Sequence, residues 1–121
     1  FEAVGGPTLG ADPIAGALAA ISYAKKKSFK TFIIRKTPKA HGARRQIEGP
    51  YLRPGAKLIL VDDVATSGKS FLESIDILRA EGFRVDTAIC IVDRQEGASA
   101  ALAQKNCQLI PLFIPKDFGI K

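Results

Sequence analysis

The 121-residue sequence has no methionine, only two cysteines, and fewer acidic than basic side chains. None of its apolar runs approaches the roughly 20 residues that a bilayer-crossing helix needs, so no membrane span is expected. No charged-then-apolar leader is visible either. Two cysteines, Cys90 and Cys107, make neither a disulfide framework nor a metal-ligand cluster. Cys90 falls inside the apolar run TAICIV and reads as a small core residue, so a reducing, cytoplasmic protein is expected. The absence of methionine, with an opening FEAVGG that reads as the end of a strand, leads us to expect an N-terminal piece beyond this sequence. Acid is the scarcer charge, 12 Asp and Glu against 18 Lys and Arg, a formal +6. That balance favours an anionic partner. The excess is concentrated in two stretches, KKKSFK at 25–30 and RKTPKAHGARR at 35–45.

What is present is ordinary for one soluble domain with one core, 46% hydrophobic and 25% charged. FEAV is short and apolar, and the breaker-rich GGPTLGADP after it reads as a loop. PIAGALAAISYAKK has apolar residues at helical spacing, with Asp12 and Pro13 fitting an N-cap and first turn. TFIIR is a β-branched strand, and the polar, basic stretch 36–55 is a long loop with a short strand near QIEG. KLILV is continuously apolar, as in a strand covered on both faces. KSFLESIDILRAEG is an amphipathic helix with Gly82 as its C-cap. VDTAICIVD, ASAALAQKN and QLIPLFI follow as strand, helix and strand. Strands alternating with helices predict a three-layer α/β/α domain over 1–121 with a mostly parallel sheet. Ligands of such sheets bind beyond the carboxyl ends of the strands. Those ends here carry GGPTLG, RKTPK, DDVATSG and DRQEG, so the chemically loaded residues converge on one rim.

LILVDDVATSGKS, residues 58–70, is the most informative stretch. Ala65, Thr66, Ser67 and Gly68 lack bulk and let backbone N–H groups approach an anion. The next helix begins near Gly68 or Lys69 and points its positive end at the same spot. Thr66, Ser67 and Ser70 add hydroxyl donors. The blander alternative is a plain helix cap by Thr66 or Ser67. The tail SGKS mimics a P-loop, but the first glycine of that pattern falls on Asp63, whose charge would repel phosphates. GGPTLG is not the dinucleotide fingerprint, because Pro7 occupies its central glycine position. Asp62 and Asp63 are good acceptors for vicinal sugar hydroxyls and are oxygen donors for magnesium, directly or through its water shell. A phosphate in the loop with hydroxyls on the acids describes a ribose 5-phosphate. The alternative is one capping Asp and one solvated Asp.

LILVDDVATSG resembles the phosphoribosyl-diphosphate motif of the type I phosphoribosyltransferases. The resemblance implies a parallel core sheet, a flexible catalytic loop and magnesium. It also implies transfer of ribose 5-phosphate from 5-phospho-α-D-ribose 1-diphosphate to a base. RKTPKAHG resembles the catalytic loop of orotate phosphoribosyltransferase, which would make Arg35, Lys36, Lys39 and His41 catalytic. DRQEG resembles the segment whose arginine contacts orotate, giving Arg94, with Thr66 as a further contact to the base. The donor site then comprises Asp62, Asp63, Val64, Ala65, Thr66, Ser67, Gly68, Lys69 and Ser70, with magnesium held mainly through the donor's diphosphate. Orotate carries a carboxylate that adenine and guanine lack, which suits Arg94.

The residues support the same chemistry. Breaking the C–O bond releases a heavily anionic diphosphate, which cations on a closing loop stabilise while excluding water. His41 either donates a proton to the diphosphate or acts as a cation. On charge alone KAHGARR is as readily a solvated basic loop or a nucleic-acid patch as a catalytic loop. Beside LILVDDVATSG neither a nucleic acid nor a membrane is expected as a partner. One departure is Leu9, where many members of the family carry a lysine in the diphosphate-side loop. The resemblance further implies an absent N-terminal hood over the base and a homodimer with shared active sites. In that dimer Arg35, Lys39 and His41 serve the neighbouring subunit and Lys36 its own. It also allows a fused orotidylate decarboxylase domain. The alternatives are a purine-type phosphoribosyltransferase, and a regulator that keeps the fold without catalysis.

Overall fold

A computed structural model describes residues 1–37 and 46–120. In chain order the elements are β1 (Ala3–Pro7), α1 (Ala11–Ala24), β2 (Lys30–Ile34), β3 (Ile47–Glu48), β4 (Lys57–Ala65), α2 (Lys69–Ala80), β5 (Arg84–Asp93), α3 (Ala98–Gln104) and β6 (Gln108–Phe113). They form one six-stranded sheet in the order β3-β2-β1-β4-β5-β6. Every neighbouring pair is parallel except β2 and β3. The expected mostly parallel α/β/α architecture is therefore the one found. No helix among the described residues is long and apolar enough to cross a membrane.

The two faces of the sheet are covered unequally. On one face Phe71, Ile75 and Leu78 of α2 and Ala98 and Leu102 of α3 pack on Leu58, Leu60, Val85 and Ala88. On the other, Ala11, Ile14 and Leu18 of α1 meet Val4, Ile59 and Val61. Successive residues of β4 thus alternate between the two layers, which is why its apolar run is continuous. Chain direction across the sheet reverses between β1 and β4: β1 leads through α1 outward to β2, and β4 through α2 outward to β5. A crevice opens at such a switch point beyond the carboxyl ends of the two strands.

Three boundaries differ from the sequence expectation. β1 runs on through Gly5, Gly6 and Pro7, which the breaker pattern assigns to a loop. β1 lies between β2 and β4, and Gly5 and Gly6 fit there because a Cβ on either would collide with the carbonyl of Phe32 or of Val61. β4 continues past Val61 through Ala65, because β5 supplies ladder partners as far as Asp93. Tertiary pairing overrides the polar composition of Asp62 and Asp63. The N-cap of α1 is Gly10 rather than Asp12, which lies in the first turn. A 3₁₀ turn over Pro115–Phe118, with Phe118 against Phe113, follows β6 and had no signal in the apolar pattern.

Candidate active site

Asp62 and Asp63 stand on the last residues of β4, one buried and the other exposed. Strand alternation would separate their side chains, yet both carboxylates converge on Gly10 at the start of α1. A Cβ there would collide with Oδ1 of each acid. Each acid is fixed by the chain: Asp62 Oδ1 accepts the Asp63 N–H at 2.8 Å and Asp63 Oδ1 the Val64 N–H at 2.7 Å. Burial pushes the Asp62 carboxyl up to about 6, with Asp63's carboxylate acting in the same direction and the Asp63 N–H against it. Gly10 is a site residue that sequence reasoning missed. Its φ of −56° is open to any residue, so space rather than backbone freedom requires glycine here.

The small-residue segment turns from β4 into α2 and lines a depression of about 320 Å³ with Asp62 at one side. Gly68 is the N-cap of α2 at φ 90°, and no side chain caps the helix. The plain cap by Thr66 or Ser67 is thus not what forms, although Ser67 Oγ accepts the Lys69 N–H at 3.3 Å. First-turn amides of a helix have no partner within it, and the residues that carry them, Lys69, Ser70 and Phe71, line the depression. Thr66, Ser67, Lys69 and Ser70 are exposed around it. Lys69 pairs loosely with Glu73, at 4.0 Å along the helix.

A neighbouring cleft of about 610 Å³ shares Ser70 and Glu73 with this depression and adds Pro7, Thr8, Arg35 and Lys36. Lys36 is exposed there. Arg35 is tied to β3, with its guanidinium 3.0 Å from Glu48 and its N–H bonded to the Gln46 carbonyl. Thr8 donates to Asp12 at 2.8 Å, bracing the turn that carries Leu9, and Leu9 itself is exposed. Lys39 and His41 lie outside the described residues.

Arg94 follows β5, and its N–H bonds to the Ala65 carbonyl at 2.9 Å. Its backbone therefore adjoins Thr66, while its side chain lines a separate depression with Phe118, Ile120 and Glu96. The guanidinium pairs with Glu96 at 3.1 Å. For magnesium, Asp62 and Asp63 offer hard oxygen donors, and that ion commonly takes one or two carboxylates with substrate phosphates. The described residues contain no group of three or more His, Cys, Asp or Glu placed to hold a metal by themselves. Two acids by themselves fit an ion that brings most of its other ligands with it. Cys90 and Cys107 are free and buried, and burial pushes the Cys90 thiol up to about 11.

No family model matches the sequence. Orotate phosphoribosyltransferase of Synechocystis is 49% identical over 116 residues, spanning 96% of this chain and 59% of that protein. The Mycobacterium tuberculosis orotate phosphoribosyltransferase superposes with a TM-score of 0.87 at 33% identity, covering 99% of this chain and 66% of that one. A further structure of that enzyme, in complex with 5-phospho-alpha-D-ribosyl 1-diphosphate, gives 0.81 at 30% identity, covering 97% and 64%. A phosphoribosyltransferase of Corynebacterium diphtheriae gives 0.84 at 35% identity, covering 99% and 68%. The chain spans about 60% of the length of the first curated relatives it matches.

Proposed function

We propose a function from kinship and geometry together: this chain belongs to the orotate phosphoribosyltransferases of the type I phosphoribosyltransferase family. The protein that contains it transfers ribose 5-phosphate from 5-phospho-α-D-ribose 1-diphosphate to orotate. The products are orotidine 5'-monophosphate and diphosphate. The single observation that carries this reading is the convergence of Asp62 and Asp63 on Gly10 beside an uncapped helix N-terminus.

The amides and hydroxyls of 65–70 take the 5-phosphate, because a helix N-terminus favours an anion and small residues allow close approach. Asp62 and Asp63 accept from the ribose hydroxyls and hold the sugar in register with the loop. Lys36, Arg35, Lys39 and His41 neutralise the charge that grows on the diphosphate as its bond to the sugar breaks. Arg94 binds the carboxylate of the base, and Thr66 a polar edge of it. Asp62 and Asp63 would hold magnesium brought in with the donor, and the ion would supply further neutralisation of the leaving group. Arg35 must exchange its Glu48 partner for phosphate oxygens, and Arg94 its Glu96 partner for orotate. Each is an exposed pair worth about 0–1 kcal/mol, a small barrier to exchange. The active form is a homodimer in which Arg35, Lys39 and His41 act on the neighbouring site.

The test uses the full-length protein with magnesium, the ribosyl donor and orotate, following the loss of orotate absorbance. Turnover with adenine or guanine and none with orotate would overturn the assignment of the base. Donor binding without any turnover would identify a regulator.

A further inference from the structure

The described residues hold two buried carboxylates, Asp62 and Asp93. The mechanism uses the first. Asp93, 5% exposed, ends β5 directly opposite Ala65 of β4. Burying a carboxylate is costly unless its oxygens are used. One of them is: Asp93 Oδ1 accepts the N–H of Gln95 at 2.9 Å. Gln95 has φ 61°, a left-handed conformation that non-glycine residues adopt infrequently, so this turn needs a local contact to hold it. Between the two, Arg94 is clamped by its own N–H to the Ala65 carbonyl at 2.9 Å. The direction in which the Arg94 side chain leaves the sheet is therefore set on one side by β4 and on the other by the Asp93 carboxylate.

We propose that Asp93 is the positioning residue for Arg94: by holding the Gln95 amide it fixes the turn from which the Arg94 guanidinium meets the carboxylate of the incoming base. The inference rests on the reading of Arg94 as the orotate contact. Asp93 does not touch the substrate and acts through Arg94 alone. Its loss leaves the donor half of the site, built by β4, α2 and Gly10, in place.

Steady-state kinetics of the full-length protein with each substrate varied separately provide the test. If the unsubstituted protein does not turn over orotate, it is the proposed function that fails, separately from the role of Asp93. Given turnover, Asp93→Ala raises KM for orotate about tenfold or more and leaves KM for the ribosyl donor within about twofold. Asp93→Asn keeps the acceptor oxygen and restores the orotate KM. Asp93→Ser, whose hydroxyl accepts the same bond more weakly, lies between them, and the same criteria apply to it if the alanine variant does not fold. In an Arg94→Ala background Asp93→Ala adds no further loss, since the two act as one unit. A parallel rise in both KM values, additivity with Arg94→Ala, or failure of asparagine to restore orotate KM would each overturn the proposal.

Discussion

Asp62 is where stability and the proposed binding role conflict. Its carboxyl titrates near 6 rather than at the ordinary 3.8, because burial penalises the charged form. Between these values the folded chain binds more protons than the unfolded one. Stability therefore falls as pH rises from about 4 to 6 and stays lower above that. Asp62→Asn keeps the acceptor for the Asp63 N–H and carries no charge. It should melt higher than the parent at pH 7, flatten the decline between pH 4 and 6, and bind the ribosyl donor more weakly. Melting curves across that range, with calorimetric titration of the donor, check all three; an unchanged melting profile would remove the burial argument. Gly10 gives a second residue-scale prediction. Gly10→Ala drives a methyl into both carboxylates and should cost about 1–3 kcal/mol of stability and weaken donor binding. Gly16→Ala, on the same helix with nothing within 4 Å of its Cβ, should instead leave donor binding alone and raise the melting temperature.

α2 has two tasks at the scale of the element. Its buried residues Phe71, Ile75 and Leu78 anchor it on the sheet, and its N-terminus opens onto the small-residue loop. Gly68 joins them. At φ 90°, where a Cβ would lie only 3.1 Å from the Ala98 Cα of α3, it is the one residue type that both the backbone and the neighbouring helix accept. Gly68→Ala should destabilise the domain by about 1–2 kcal/mol from the left-handed backbone, more once α3 is pushed aside. It should also weaken inorganic phosphate binding, because the first-turn amides shift with it. Denaturant titration and phosphate binding on one sample separate the effects. Leu78→Ala, buried far from the loop, should lower stability by about 2–5 kcal/mol and leave phosphate binding intact in the folded fraction.

For the whole molecule, the proposal that the site is shared between subunits is directly testable. Lys39→Ala and Asp63→Asn each disable a different part of one site. If the loop crosses to a neighbouring subunit, mixing and re-associating the two full-length variants forms hybrid dimers with one complete site. Random pairing then restores about a quarter of the parent activity; a mixture as inactive as its components would show that the loop serves its own subunit. Spacing and composition along the chain were enough for the order of elements, the parallel sheet and the rim on which DDVATSG and DRQEG fall. Apolar period and breaker residues are local signals, and right-handed crossovers leave few ways to assemble them. Tertiary structure alone decided where β1 and β4 end, since a neighbouring strand rather than composition holds Gly5–Pro7 and Asp62–Ala65 in extended form. It also decided that Gly10 faces both acids, that Arg35 rests on Glu48, and that Asp93 supports the turn beyond Arg94. These are contacts between residues brought together by the fold or by an unusual backbone angle, and spacing along a chain carries no record of either.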